Sequence, residues 1–95
     1  MIIKLKDLKI TIATINKLTN NPQMPWTRTG GRNAANVGNY HLSEAYGGYA
    51  LYQMVSAGGG VQDTLKTGHV PKRELYNAMQ ALIAGLRAIP QSPNK

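Results

Sequence analysis

Leu5, Leu8, Ile12, Ile15 and Leu18 recur three or four residues apart, which sets them on one stripe of a helix with Lys6, Lys9 and Asn16 turned away. Within this stretch KITIATI is rich in β-branched residues and alternates locally as a strand would. The helical stripe continues through more positions than the alternation does, so the spacing predicts a first helix, stopped by Asn20, Asn21 and Pro22. A second stripe, Leu75, Met79, Leu82, Ile83, Leu86 and Ile89, predicts a last helix. Pro71 suits its first helical position and Pro90 ends it.

Between the two stripes the pattern changes to strand and turn. Residues 24–29, the pair Gly30-Gly31 and the chain from Arg32 onward read as a hairpin, because paired glycines supply the positive φ angles of a tight turn. The runs 39–42 and 49–55 flank a second turn at Tyr46-Gly47-Gly48, and the latter run, rich in aromatic and branched residues, adds the third strand. The run 49–55 also fits a short helix through Leu51, Met54 and Val55. As a strand it puts Tyr49 and Leu51 on one face and Tyr52 and Met54 on the other, with only one set buried under helices and Tyr52 the expected exposed ring. Gly58-Gly59-Gly60 is a loop, and residues 61–66 are too short a run to assign. The expected fold is α+β: an N-terminal helix, a three-stranded antiparallel sheet and a C-terminal helix, both helices on one face and the other face free to bind. Residues 1–90 make one small domain in this scheme, and 91–95 a disordered tail.

Composition narrows the partners. Ninety-five residues with 42% hydrophobic content suffice for one core. Eleven Lys and Arg against Asp7, Glu44, Asp63 and Glu74 give +7, which favours polyanions or acidic protein surfaces and disfavours a nucleic-acid mimic, which would need the opposite sign. The absence of cysteine removes disulfides and thiolate zinc sites. Lys4, Lys6, Asp7 and Lys9 interrupt the N-terminal apolar residues long before the ~20 that a membrane span needs, and no signal-peptide pattern is present. The expectation is a soluble cytoplasmic protein with no membrane partner; its oligomeric state is not set by these features.

Two groups of residues carry candidate chemistry. TGHVPKREL places Lys72 and Arg73 in the first turn of the last helix, where the helix dipole is already positive. With His69 nearby and unpaired amides at the helix start, they could form an anion site; as ordinary surface cations they cost only ~0.3–1 kcal/mol. The second group is aromatic, Trp26, Tyr40, Tyr46, Tyr49 and Tyr52, with Arg28 and Arg32 on the first hairpin. Cations beside rings suit single-stranded nucleic acid, although a chain without Phe needs several of these rings for its core. The candidate partner-binding set is therefore Lys72, Arg73, His69, Arg28, Arg32, Trp26 and Tyr52. His41 and Glu44 are close enough in sequence for an acid–base pair, but only Ser43 accompanies them, so no catalytic residue is assigned. His41, His69 and the scattered carboxylates make no metal-ligand motif, and the glycine clusters match no phosphate or dinucleotide loop, so no cofactor is expected.

GNYHLSEAYGGYAL, GGGV and GHVPKREL together resemble small accessory proteins of tailed bacteriophages, over residues 37–87. That resemblance implies a bacterial host cell in which short proteins bind host or defence machinery, and it transfers no catalytic residue. The helix–strands–helix order with a basic start to the last helix is also similar in layout to the double-stranded RNA-binding domain. Lys72 and Arg73 match its basic cluster, but Tyr76 stands where another cation would be expected and the loop histidine after Gly-Pro is absent. The expectation is a non-catalytic accessory protein that binds and blocks or redirects a host protein or nucleoprotein. The alternative is a direct DNA- or RNA-binding protein.

Overall fold

The computed structural model describes residues 2–89. Its elements are α1 (Leu5–Leu18), β1 (Trp26–Thr29), β2 (Arg32–Ala35), β3 (Tyr40–Ala45), β4 (Gly48–Met54), β5 (Val61–Asp63) and α2 (Lys72–Ala88). The α+β class is as the patterning predicts, with one helix toward each end and antiparallel strands between.

The KITIATI stretch is helical, so the longer stripe prevails over local β propensity. Asp7 accepts the Lys4 backbone N–H at 2.8 Å at the start of α1, and Lys17 lies at its negative end. Leu8, Ile12 and Ile15 are buried as expected. Asn16 is the exception to the predicted outer face: it follows Ile12 by one helical turn and is only 1% exposed. Its Nδ2 donates to the Tyr40 carbonyl at 2.9 Å, and its Oδ1 accepts the Tyr40 N–H at 2.7 Å. The side-chain amide thus takes the place of a neighbouring strand's peptide group.

The strands form two sheets rather than the single three-stranded sheet expected: a β1-β2 ribbon and a three-stranded sheet of order β3-β4-β5. Gly30 and Gly31, at φ +59° and +80°, make the two-residue turn of the ribbon. Neither ribbon strand has a buried residue, because Thr, Arg, Asn and Ala offer no apolar alternation for a core. The second turn is Tyr46-Gly47, with Gly48 already paired to Ala45, so β3 extends beyond the predicted 39–42. Of the run 49–55, all but Val55 is strand, and β4 lies at the centre of its sheet.

Both helices lie on one face of β3-β4-β5. Ile3, Leu8, Ile12 and Ile15 meet Leu51, Leu75, Met79 and Ile83 there, with Tyr40, Leu42, Tyr49 and Val70 packed around them. Met54 is buried too, although alternation places it on the opposite face from Leu51, so burial is not confined to one set. Pro71 is the N-cap of α2 rather than its first residue, since its ψ of 153° is extended. Ile89 follows the end of α2 and is exposed, while Pro90 and the predicted tail lie outside the described residues.

Replacing Asn16 by Ala leaves the Tyr40 N–H and C=O without their partners and should cost about 2–4 kcal/mol in a denaturant melt. Asn16→Asp should be worse at neutral pH, because a carboxylate cannot donate to the Tyr40 carbonyl. The buried Asp has a raised folded-state pKa, so its penalty is relieved as pH falls and the proton supplies the missing donor. Stability of the Asp variant that does not improve relative to wild type on acidification would contradict this role.

Candidate functional site

Strand alternation turns His41 and Ser43 of β3 and Ala50 and Tyr52 of β4 away from the helices, with His41 opposite Tyr52 and Ser43 opposite Ala50. His69 reaches the same face from the segment between β5 and α2. Its ring centroid lies 5.7 Å from Tyr52 and 5.7 Å from Tyr46, and its Nε2 is 2.9 Å from Ser43 Oγ. His41 meets the Tyr52 ring edge-on at 6.3 Å. A continuous strip of rings, His41, Tyr52, His69 and Tyr46, therefore crosses the face without helices.

The approach of His69 is built by its neighbours. Asp63 accepts the backbone N–H groups of Lys66 at 3.1 Å and Gly68 at 2.8 Å, which folds the chain after β5 into a turn. Val70 then pairs with Tyr49 through bonds of 2.8 and 3.0 Å on the edge of β4. The chain can come this close because residue 48 is glycine: a Cβ there would lie 2.7 Å from the His69 carbonyl carbon and 2.9 Å from Val70 N. Gly48 is thus a packing glycine whose role follows from a distant segment.

Asn39, fully buried, fixes the other histidine. Its Nδ2 donates to the Pro22 carbonyl at 2.8 Å, which leaves Oδ1 as the acceptor 3.1 Å from His41 Nδ1. Neutral His41 therefore carries its proton on Nδ1 and presents Nε2 as an acceptor. Burial holds the His41 pKa below its usual 6.5.

The ribbon forms a separate candidate surface. Its register places Trp26, Arg28, Asn33 and Ala35 on one face and Thr27, Thr29, Arg32 and Ala34 on the other. The base is fastened by Asn36, whose Nδ2 reaches the Met24 carbonyl and Thr27 Oγ1, each at 2.9 Å. Trp26 rests against Gly59, where a Cβ would lie 2.7 Å from its Cη2. Arg28, Thr29, Arg32 and Asn33 toward the tip are exposed.

Of the predicted binding residues, the fold brings His69 and Tyr52 together and leaves Arg28, Arg32 and Trp26 on the ribbon. Tyr52 is half-buried between the imidazoles rather than the most exposed ring, a position held by Tyr46 at 97% exposure. Lys72 sits over the Tyr49 ring, its Nζ 5.2 Å from the centroid, with exposed Arg73 next to it on α2. His41 and Glu44 fall on opposite faces of β3, so the acid–base pair considered from sequence does not assemble. Ser43–His69, Asn39 and Asp63 are the relations that sequence spacing missed. A turn signal between Asp63 and Gly68 was present for the last of these, but nothing local connects Ser43 to His69.

Among the described residues no group of three or more His, Asp or Glu side chains could hold a metal ion, and no helix is long and apolar enough to cross a membrane. Comparison with family models, curated proteins and solved structures finds no match to this chain.

The lowered His41 pKa makes stability depend on pH. The unfolded chain takes up a proton before the folded one, so the contribution is complete above about 6.5 and is lost as pH falls through the lower folded value. The melting temperature should therefore drop on acidification, and His41→Gln should flatten that part of the profile; an identical slope in both proteins would assign it to other groups. Gly48→Ala should separately cost about 1–3 kcal/mol and weaken the His69 contact with Ser43. The expected NMR signature is a shift of the His69 ring resonances, and unchanged resonances with unchanged stability would refute the close approach.

Proposed function

We propose that this chain is a small, basic, non-catalytic binding protein whose ribbon engages nucleic acid, either free or within a host nucleoprotein. The observation carrying the proposal is the exposed two-stranded ribbon with Arg28 and Arg32 on opposite faces and no buried residue in either strand. Its two paired strands lie only ~4.8 Å apart, so the ribbon is narrow enough for the ~12 Å wide major groove that admits a β-ribbon. Thr27, Thr29 and Ala34 keep it narrow, while Arg28, Arg32 and Asn33 supply groups that pair with phosphates and base edges.

The net charge of +7 supplies the long-range attraction. The separation of His41 from Glu44 favours binding over acid–base chemistry as the role of this chain. In its wider form the proposal is an accessory protein of bacteriophage type that blocks or redirects a host factor in the bacterial cytoplasm, with the ribbon as its nucleic-acid contact. The strip from His41 to Tyr46 would face a protein component of such a complex.

Arg28→Ser with Arg32→Ser tests this directly. Both side chains are exposed, so the melt should stay close to that of the parent. Affinity for a duplex or single-stranded probe should fall, and the log–log salt slope should shrink by about two units for two lost phosphate contacts. Unchanged affinity and slope would remove the ribbon from the interface. Capture of a host protein that persists after nuclease treatment and in the double variant would place binding on another surface.

A further inference from the structure

The free edge of β3 has a specific geometry. Tyr40 directs its N–H and C=O away from β4, to Asn16, whereas the Asn39 carbonyl accepts the Met54 N–H. Strand alternation therefore points the main-chain groups of Leu42 and Glu44 outward as well, on the side where no strand pairs with β3. Asn16 closes one end of this edge and the Tyr46-Gly47 turn closes the other. Leu42 and Glu44 are what remains open between them.

A groove of about 610 Å³ runs beside this edge, lined by Lys9, Ile12 and Ala13 of α1, Met24 and Pro25 before the ribbon, and Leu42 of β3. We infer that the open edge pairs with the same edge of a second copy of this chain, antiparallel about a two-fold axis at Ser43, making a six-stranded sheet across the dimer. In this register Leu42 lies opposite Glu44 of the partner subunit and Glu44 opposite its Leu42, so every free main-chain group of the two residues is used. A register centred on Leu42 would require the Tyr40 groups already held by Asn16.

Charge selects the occupant. Opposed residues of an antiparallel pair project to the same face, so Glu44 of the partner subunit enters the helix-side groove next to Leu42, where Lys9 is the charged lining residue. A charge on a strand edge ordinarily discourages pairing. Here the copy supplies the opposite charge, and the two-fold axis forms the same contact twice. An unrelated extended strand would satisfy the main chain but would need its own carboxylate at this position.

Analytical ultracentrifugation over a concentration series tests the pairing. Wild type should dimerise, and Glu44→Pro should be monomeric with the melt of the wild-type monomer, because the lost N–H points outward and makes no bond within the subunit. Glu44→Lys should weaken the dimer by roughly tenfold or more, and Lys9→Glu combined with Glu44→Lys should restore it. The charge exchange decides the matter if the proline variant does not fold. A wild type that stays monomeric up to ~1 mM, a dimer indifferent to all these changes, or a monomer that captures an unrelated strand peptide on this edge would overturn the inference.

Discussion

The hydrogen bonds between Asn16 and Tyr40 join the two layers of this protein. Hydrophobic contact alone would let α1 slide or rotate over the sheet, since burial is non-directional. The Asn16 amide demands a donor and an acceptor at fixed positions, and the outward groups of Tyr40 provide both at 2.7 and 2.9 Å. With that registration set, Ile12 and Ile15 meet Leu51 and the buried residues of α2 in one cluster. The same bonds terminate one end of the exposed β3 edge. A single polar side chain in an apolar stripe thus sets both the docking of a helix and the length of an edge.

Periodicity made the helices and the two tight turns legible, because each depends on residues close in sequence. Leu8, Ile12 and Ile15, then Leu75, Met79 and Ile83, lie where a 3.6-residue repeat requires. Gly30-Gly31 similarly specifies its turn through backbone conformation. The division into two sheets was harder to read because hydrogen-bond partners are non-local. The clue was the ribbon's lack of an apolar face, visible in WTRT and RNAA but outweighed by counting strands. Asn16 misled for a related reason: its polarity suggested solvent, whereas its place four residues after Ile12 faced the sheet.

The candidate surfaces were legible as residue types and illegible as assemblies. Arg28 and Arg32 flank the glycine turn in sequence, so their common location on one hairpin could be read directly. The His69 cluster depends instead on Asp63 holding the preceding turn, Val70 pairing with Tyr49, and the missing Cβ of Gly48. These are three contacts between segments separated by different distances along the chain. Only the Asp63 turn leaves a local signal, and together the three place an imidazole over Ser43 that pattern counting assigns only to a loop.

Polar residues in this chain act chiefly as positioning devices. Asp7 and Asp63 accept backbone N–H groups, Asn36 ties the base of the ribbon, and Asn39 fixes both the Pro22 segment and the His41 tautomer. Such bonds fix the direction of each segment, which a core of this size has limited means to do by packing alone. The outer ribbon can consequently carry small and cationic residues without having to supply core volume. Its attachment through Asn36 and through Trp26 on Gly59 leaves the arginine-bearing end free of structural duties. Chemistry at that end can therefore change without disturbing the Asn16 junction that holds the two layers in register.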